Sequence, residues 1–152
     1  MAETLGSLCD KLTIVKLKIW HTFDKVKLES LSTQEKDIQN EMNEFIEDAI
    51  QGNIPMNKLT FASNKVYIEK GNNIGEIKGT IGFVFSMLAE VNCKLWHKQE
   101  KVYEFEKVPI EDKDKVVKNL AIMNLERNKC IDLIDSKFAD MVRNNNLAEI
   151  EH

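Results

Sequence analysis

A chain of 152 residues that is 43% hydrophobic and 30% charged has the composition of one globular domain with a single core. Its net charge of −4 and pI near 5.5 argue against general nucleic-acid binding, which usually requires a basic excess. Three cysteines without metal-binding spacing fit a reducing compartment, where they would serve as small buried hydrophobes rather than as a disulfide or zinc framework.

Apolar residues spaced three and four apart predict that the chain begins with two helices. The first is expected from about residue 4 to 30, with one buried stripe. Ser32 or Thr33 then offers an N-cap for the second helix, which should end before Gly52. The stripe of the first helix comprises Leu5, Leu8, Leu12, Val15, Ile19 and Val26.

An irregular segment separates this half of the chain from two further predicted helices. Residues 52–73 hold a proline, two glycines and a short stretch of mild strand character, so we expect a crossover with one short helical turn. A third helix is predicted from near Ile74 to Pro109. A fourth is predicted from about 111 to 144, where three consecutive asparagines should end it.

The sequence repeats itself at a distance of 76 residues. IVKLKIWHTFDKV at 14–26 aligns with EVNCKLWHKQEKV at 90–102, and Gly6 aligns with Gly82. The chain has only two tryptophans, and each directly precedes one of the two internal histidines. Coincidence between two amphipathic helices is the alternative explanation, but shared Gly, Lys, Trp-His and acid-Lys-Val in one register favours duplication.

The predicted fold is therefore all-α. Two duplicated helical hairpins, at about 4–51 and 74–144, are expected to form a four-helix bundle as one domain over 1–152. A pseudo-twofold would relate the hairpins, and the irregular crossover would join them.

Each Trp-His pair stands within a set of polar residues at helical spacing. A lysine precedes each tryptophan by two residues, and an acid follows each histidine by three. Because the hairpins are pseudosymmetric, the two clusters are expected to face each other across the bundle. Their members are Lys18, Trp20, His21 and Asp24 in the first repeat, and Lys94, Trp96, His97 and Glu100 in the second.

The fourth helix places an arginine on its apolar seam. Arg127 is flanked by Asn124 and Asn128, and a buried arginine is costly unless it is paired. One interpretation is a structural network in which Glu100 or Asp135 pairs with it. The other is a cavity in which Arg127 meets an anionic ligand.

The leading functional hypothesis is binding of a phosphorylated small molecule, such as a nucleotide derivative or nucleotide-sugar, without turnover. The tryptophans would stack on the ligand, the lysines and Arg127 would meet its phosphates, and the histidines would donate hydrogen bonds. A hydrolase or transferase with His97 and Glu100 as an acid–base pair is one alternative, and a purely structural or interaction module is another. The candidate ligand-binding residues are Lys18, Trp20, His21, Asp24, Asn92, Lys94, Trp96, His97, Glu100, Asn124, Arg127 and Asn128.

A metal site is less well supported by the sequence. The His–acid pairs look like an inverted version of the Glu-x-x-His pairs of di-iron bundles, but the other helices offer no matching set of glutamates. We therefore predict neither a metal nor another cofactor. We also expect no membrane span or signal peptide, a cytoplasmic location, and helices compatible with a homodimer or higher homo-oligomer.

Two stretches resemble an uncharacterised bacterial all-helical family, a domain of unknown function. NCKLWHKQE at 92–100 and MNLERNKCIDLID at 123–135 are similar to its Asn-x-x-x-Trp-His and Asn-x-x-Arg-Asn motifs. LCDKLTIVKLKIWH at 8–21 resembles the opening of related proteins, in which Asp10 and Lys11 are motif positions. The resemblance implies an all-helical fold. Such proteins are often encoded near glycosyltransferases, which slightly favours nucleotide-sugars as ligands.

Overall fold

The computed structural model describes residues 3–60, 77 and 79–151, and over that part of the chain the fold is all-α. The prediction of a four-helix bundle is confirmed. No helix among these residues is both long and apolar enough to cross a membrane. The helices are α1 (Leu5–Trp20), α2 (Lys25–Ile50), α3 (Ile81–Tyr103) and α4 (Ile110–Glu151), with 3₁₀ turns at Met56–Lys58 and Phe105–Lys107.

The core lies where α1 packs against the other three helices. α1 runs antiparallel to α4, because Gly6 meets Asp135 and Asp10 meets Arg127. α4 also contacts α2, where the rings of Phe45 and Phe138 lie 6.0 Å apart. Leu88 of α3 and Ile134 of α4 are fully buried in the same cluster. Burial of these apolar side chains is the main force that holds the bundle together.

The first predicted helix, 4–30, is wrong in its length, because the chain turns at residues 21–24. The Asp24 carboxylate accepts the Val26 N–H at 2.9 Å and caps α2, so the chain has a new helix start eight residues earlier than expected. Ser32 and Thr33, the two predicted caps, both lie inside α2, and Thr33 donates its hydroxyl to the Glu29 carbonyl. The seven-residue gap in the apolar stripe between Ile19 and Val26 falls at this turn.

The end of the first hairpin is as predicted. Gly52, at φ +80°, follows α2 in a conformation that favours glycine, and the Asn53 N–H bonds back to the Asp48 carbonyl. The predicted short turn in the crossover corresponds to Met56–Lys58, and it carries the chain to the fully buried Leu59. The stretch with strand character, 65–68, lies outside the described residues.

Both helices of the second hairpin differ in length from the prediction. α3 begins at Ile81 and ends at Tyr103, several residues before Pro109. α4 does not stop at the asparagines 144–146 but continues to Glu151. Asparagine is only moderately unfavourable in a helix, and no glycine or proline follows to break this one.

The two halves of the chain share a helix start but not a helix end. Thr4 and Thr80 each stand two residues before Gly6 or Gly82, and each hydroxyl accepts a backbone N–H of the first turn. α1 ends at Trp20, whereas α3 continues for seven residues beyond Trp96. Duplication of a hairpin stays a prediction from the sequence.

Candidate functional site

A close approach between α1 and α4 sets the geometry of the polar interior. The backbone N–H of Gly6 donates to Oδ1 of Asp135 at 2.6 Å. A Cβ at position 6 would lie 2.8 Å from that oxygen and closer still to the carbonyl oxygen of Ile131. Glycine at position 6 therefore allows the two helix backbones to approach, and this brings the next turn of α1 against Arg127.

One turn further along α1, Asp10 and Arg127 form a two-pronged ion pair. Nε of Arg127 donates to Oδ1 of Asp10 at 2.9 Å, and Nη2 donates to Oδ2 at 2.5 Å. The amide of Asn92, on α3, donates to Oδ1 of Asp10 at 3.0 Å and to the Thr13 hydroxyl at 2.6 Å. Three helices thus meet at a single carboxylate.

The charges of this network are balanced within the protein. The hydrogen bond to Asp10 raises the pKa of Arg127 above its usual value, against the opposing effect of desolvation, so the guanidinium stays charged. Asn92 is 1% exposed, and its Oδ1 has no hydrogen-bond partner within the part of the chain that the structure describes. Planar Arg–carboxylate pairing of this kind fixes both partners in orientation.

The carboxylate that pairs with Arg127 is not one of the two proposed from the sequence. Glu100 is exposed, and Asp135 accepts the Gly6 N–H one turn away from the pair. Those predicted pairings are wrong: Asp135 lies about two turns from Arg127 on α4 itself, and Glu100 lies about two turns beyond the point where α3 meets the pair, whereas Asp10 of α1 lies opposite Arg127. The expectation that a carboxylate of the protein satisfies Arg127 is nevertheless met.

Three of the four rings of the Trp-His pairs come together, and Trp20 is not among them. The His21 ring stacks on Trp96 at 4.9 Å between centroids, and it meets the His97 ring edge-on at 6.5 Å. His21 caps α1, and its Nδ1 donates to the Leu17 carbonyl at 2.8 Å. The cluster lies where the α1–α2 turn meets the C-terminal part of α3, and both histidines are exposed.

Most of the other predicted ligand-binding residues point away from any shared cavity. Trp20 is 84% exposed, Asp24 caps α2, and Lys94 pairs with Glu90 at 3.2 Å. His97 and Glu100 line a shallow recess of about 630 Å³ together with Tyr103 and Glu104, so its walls carry two carboxylates. The described residues bring together no group of three potential metal ligands. Exposed positions also include Lys18, Asn124 and Asn128.

An apolar groove lies between α1 and α3. Its volume is about 570 Å³, within the usual range for small-molecule sites. Trp20 stands at one end, and the hydroxyl of Thr13 connects its floor to the buried network. The groove is lined by Leu12, Thr13, Lys16, Leu17 and Trp20 of α1 and by Phe85, Ala89 and Cys93 of α3.

The sequence interpretation assigned no role to Gly6, Asp10 or Thr13 in this site. The three residues repeat at spacings of four and three, so they form a second, polar face of α1 beside its apolar stripe. The need of Arg127 for an acid pointed to a carboxylate on a facing helix. Asp10 meets that need, and it is also a motif position in the resemblance.

We expect one reactive thiol in the native protein at pH 8. Burial raises the pKa of Cys9 to about 12 and that of Cys130 to about 11, so both stay protonated and unreactive, whereas Cys93 is exposed in the groove. A chromogenic disulfide reagent should therefore label one equivalent rapidly in the folded chain and three after denaturation. Rapid labelling of Cys9 or Cys130 in the folded state would contradict the packing of α1 and α4.

Comparisons with known proteins add no relative. No family model matches the chain, and neither a curated protein nor a solved structure shows significant similarity to it. The class of the protein is therefore defined by its structure alone. It is a four-helix bundle in which a carboxylate of the protein pairs with the arginine of the polar network, and it has an apolar groove beside that network. The likeness to an uncharacterised helical family stays an expectation from the motif residues.

Proposed function

We propose that the protein binds a small molecule with a planar apolar body and one anionic group in the α1–α3 groove, without converting it. The observation that carries the proposal is the groove itself, which has ligand-sized volume and a largely apolar lining. An exposed tryptophan at its end offers a face for stacking, which explains why a side chain as apolar as Trp20 is left 84% exposed.

Lys16 supplies the charge for the anionic group. It stands on the rim of the groove and pairs with Glu35 of α2 at 2.6 Å. A lysine ammonium has three donors, so one carboxylate partner leaves capacity for a second acceptor. The ligand would lie with its planar body between α1 and α3 and its anionic group at Lys16.

This proposal departs from the ligand class expected from the sequence, a phosphorylated molecule such as a nucleotide-sugar. The guanidinium of Arg127 is held in two directions by Asp10, and a phosphate at that position would have to displace the carboxylate. A nucleotide-sugar also needs many polar partners, which a groove lined mainly by Leu12, Leu17 and Phe85 does not offer. Like the ligand expected from the sequence, the proposed ligand is anionic. Its apolar part is expected to contribute more to binding than that of a nucleotide-sugar would.

The chemistry of the groove lining supports the proposal of binding without turnover. Of the eight residues that line it, only Lys16 and Cys93 are ionisable, and neither has an acid–base partner in the lining. The three cysteines are free, in keeping with a reducing compartment, and the proposal places the protein in the cytoplasm.

The test is calorimetric titration of the protein with 2-naphthoate, with UDP-glucose as the polar comparison. We expect saturable binding of 2-naphthoate with a Kd on the order of 0.1 mM, and no heat of binding from UDP-glucose. Ala89→Trp, which fills the groove, should weaken 2-naphthoate binding at least tenfold. Gln39→Trp, which adds the same side chain to an exposed position of α2, should leave it unchanged.

Two results would overturn the proposal. One is the absence of 2-naphthoate binding at millimolar concentration, and the other is equal binding by the Ala89→Trp variant. Binding of UDP-glucose that Arg127→Leu abolishes and Ala89→Trp spares would instead restore the polar cavity expected from the sequence.

A further inference from the structure

One end of the bundle is built from two helices only. α1 ends at Trp20, whereas α3 continues to Tyr103 and α4 begins at Ile110. We call residues 98–120 the tip. Among the described side chains between Leu95 and Leu125, none is buried, although both of those leucines are. The tip is thus a helical hairpin that projects beyond the part of the core where α1 packs against α3 and α4.

The tip presents apolar side chains on one side of α3 and α4. Nearer the core, α1 covers this same side of the two helices. Tyr103 follows Phe85 by eighteen residues, or five helical turns, so both lie on the line of α3 that borders the α1 groove. Val117 precedes Asp135 by the same interval on α4, and Asp135 bonds to Gly6 of α1. Tyr103 is 85% exposed and Val117 is 56% exposed, because no part of α1 reaches them.

The charges of the tip favour a partner with the same mixed pattern. Residues 98–118 carry six lysines and six acidic residues, so this segment is neutral although the whole chain has a net charge of −4. A nucleic acid or anionic membrane would call for a basic excess, and a basic protein would call for an acidic one. The tip of a second copy brings both signs in equal number, so the two tips do not repel each other on balance.

We infer that the tip is the self-association surface of the protein. In the complex, α3 and α4 of one protomer pack against α3 and α4 of a second copy, and the tips form an intermolecular four-helix arrangement. A twofold axis places the same patch on both sides of such an interface, so Tyr103 and Val117 of each copy cover the strip that α1 leaves open. A stable interface of standard size buries about 800 Å² per protomer, so the packing must extend over 98–103 of α3, 110–120 of α4 and the turn between them.

The test is sedimentation equilibrium of the full chain from 5 to 200 μM. The expected result is a species of twice the 17.5 kDa chain mass at the upper concentrations. The double variant Tyr103→Lys with Val117→Lys should weaken association at least tenfold. Both positions are exposed, so the double variant should still fold. Its circular dichroism and its Tm should match those of the unsubstituted protein when both are measured at a concentration at which both are monomers.

The matched control is Met141→Lys with Leu147→Lys. It also replaces two exposed apolar residues by lysine, but near the opposite end of α4, and should leave the association constant unchanged. A 17.5 kDa species at 200 μM would overturn the inference. So would a dimer that the control variant disrupts and the tip variant does not. Ala89→Trp should leave the mass unaltered, which separates this inference from the proposed ligand groove.

Discussion

Replacement of Asp10 by alanine is expected to destabilise the protein more than any other single polar substitution among the residues discussed. It removes the carboxylate that holds Arg127 and accepts from Asn92, and leaves a partly buried guanidinium without its counter-charge. Breaking a fully buried pair costs about 3–5 kcal/mol, and because the Arg127 side chain is 33% exposed we expect about 2–3 kcal/mol. Urea denaturation of the two proteins measures the difference in free energy of unfolding.

A double-mutant cycle shows whether this cost belongs to the pair. Arg127→Met in the Asp10→Ala background should cost much less than Arg127→Met in the parent, with a coupling energy on the order of 1–2 kcal/mol. The exposed pair Arg143–Asp140, at 2.8 Å, is the control, and its disruption should cost less than about 0.5 kcal/mol. Additive effects of Asp10→Ala and Arg127→Met would contradict the network.

Replacement of Gly6 by valine is expected to cost about 3 kcal/mol or more, through overpacking and the loss of a backbone hydrogen bond. The new Cβ would occupy space held by the Ile131 carbonyl and by Oδ1 of Asp135. Separating α1 from α4 would relieve the overlap, but it would also lengthen the Asp10–Arg127 contacts one turn away. Thermal denaturation should therefore show a large fall in Tm.

Gly82 is the matched control, because it holds the same position relative to the start of its helix. A Cβ there would meet nothing within 4 Å, so Gly82→Val should cost little. The sequence repeat pairs the two glycines, yet the structure gives a close-packing requirement only to Gly6. Equal effects of the two substitutions would show that α1 and α4 do not approach as closely as described.

The fold class was predictable because helical periodicity is a local signal. Spacings of three and four along α3 and α4, with both prolines outside the helices, suffice to predict helices. The boundaries were less predictable because capping is decided by one or two side chains. Asp24 and Thr33 both have a capping side chain, and it is Asp24 that caps α2, whereas Thr33 lies within the helix.

The candidate site was predictable only in part, for a related reason. That the Trp-His pairs converge, and that Arg127 needs a carboxylate, follows from helix faces and charge, and the structure brings His21, Trp96 and His97 together. Which carboxylate pairs with Arg127 depends on the register between helices, which a single sequence does not encode locally. The groove beside Trp20 likewise arises from the spacing of α1 and α3.

The central claim is that a carboxylate of the protein pairs with Arg127 and that ligand binding takes place in the adjacent groove. The most direct measurement is an NMR titration with 2-naphthoate that follows the Arg127 Nε–H signal and the methyl groups of Thr13 and Ala89. We predict that the methyl signals shift when the ligand binds. The Arg127 Nε–H signal should not shift, because Nε stays hydrogen-bonded to Oδ1 of Asp10 at 2.9 Å. A shifted Arg127 signal with unmoved methyl groups would contradict the account.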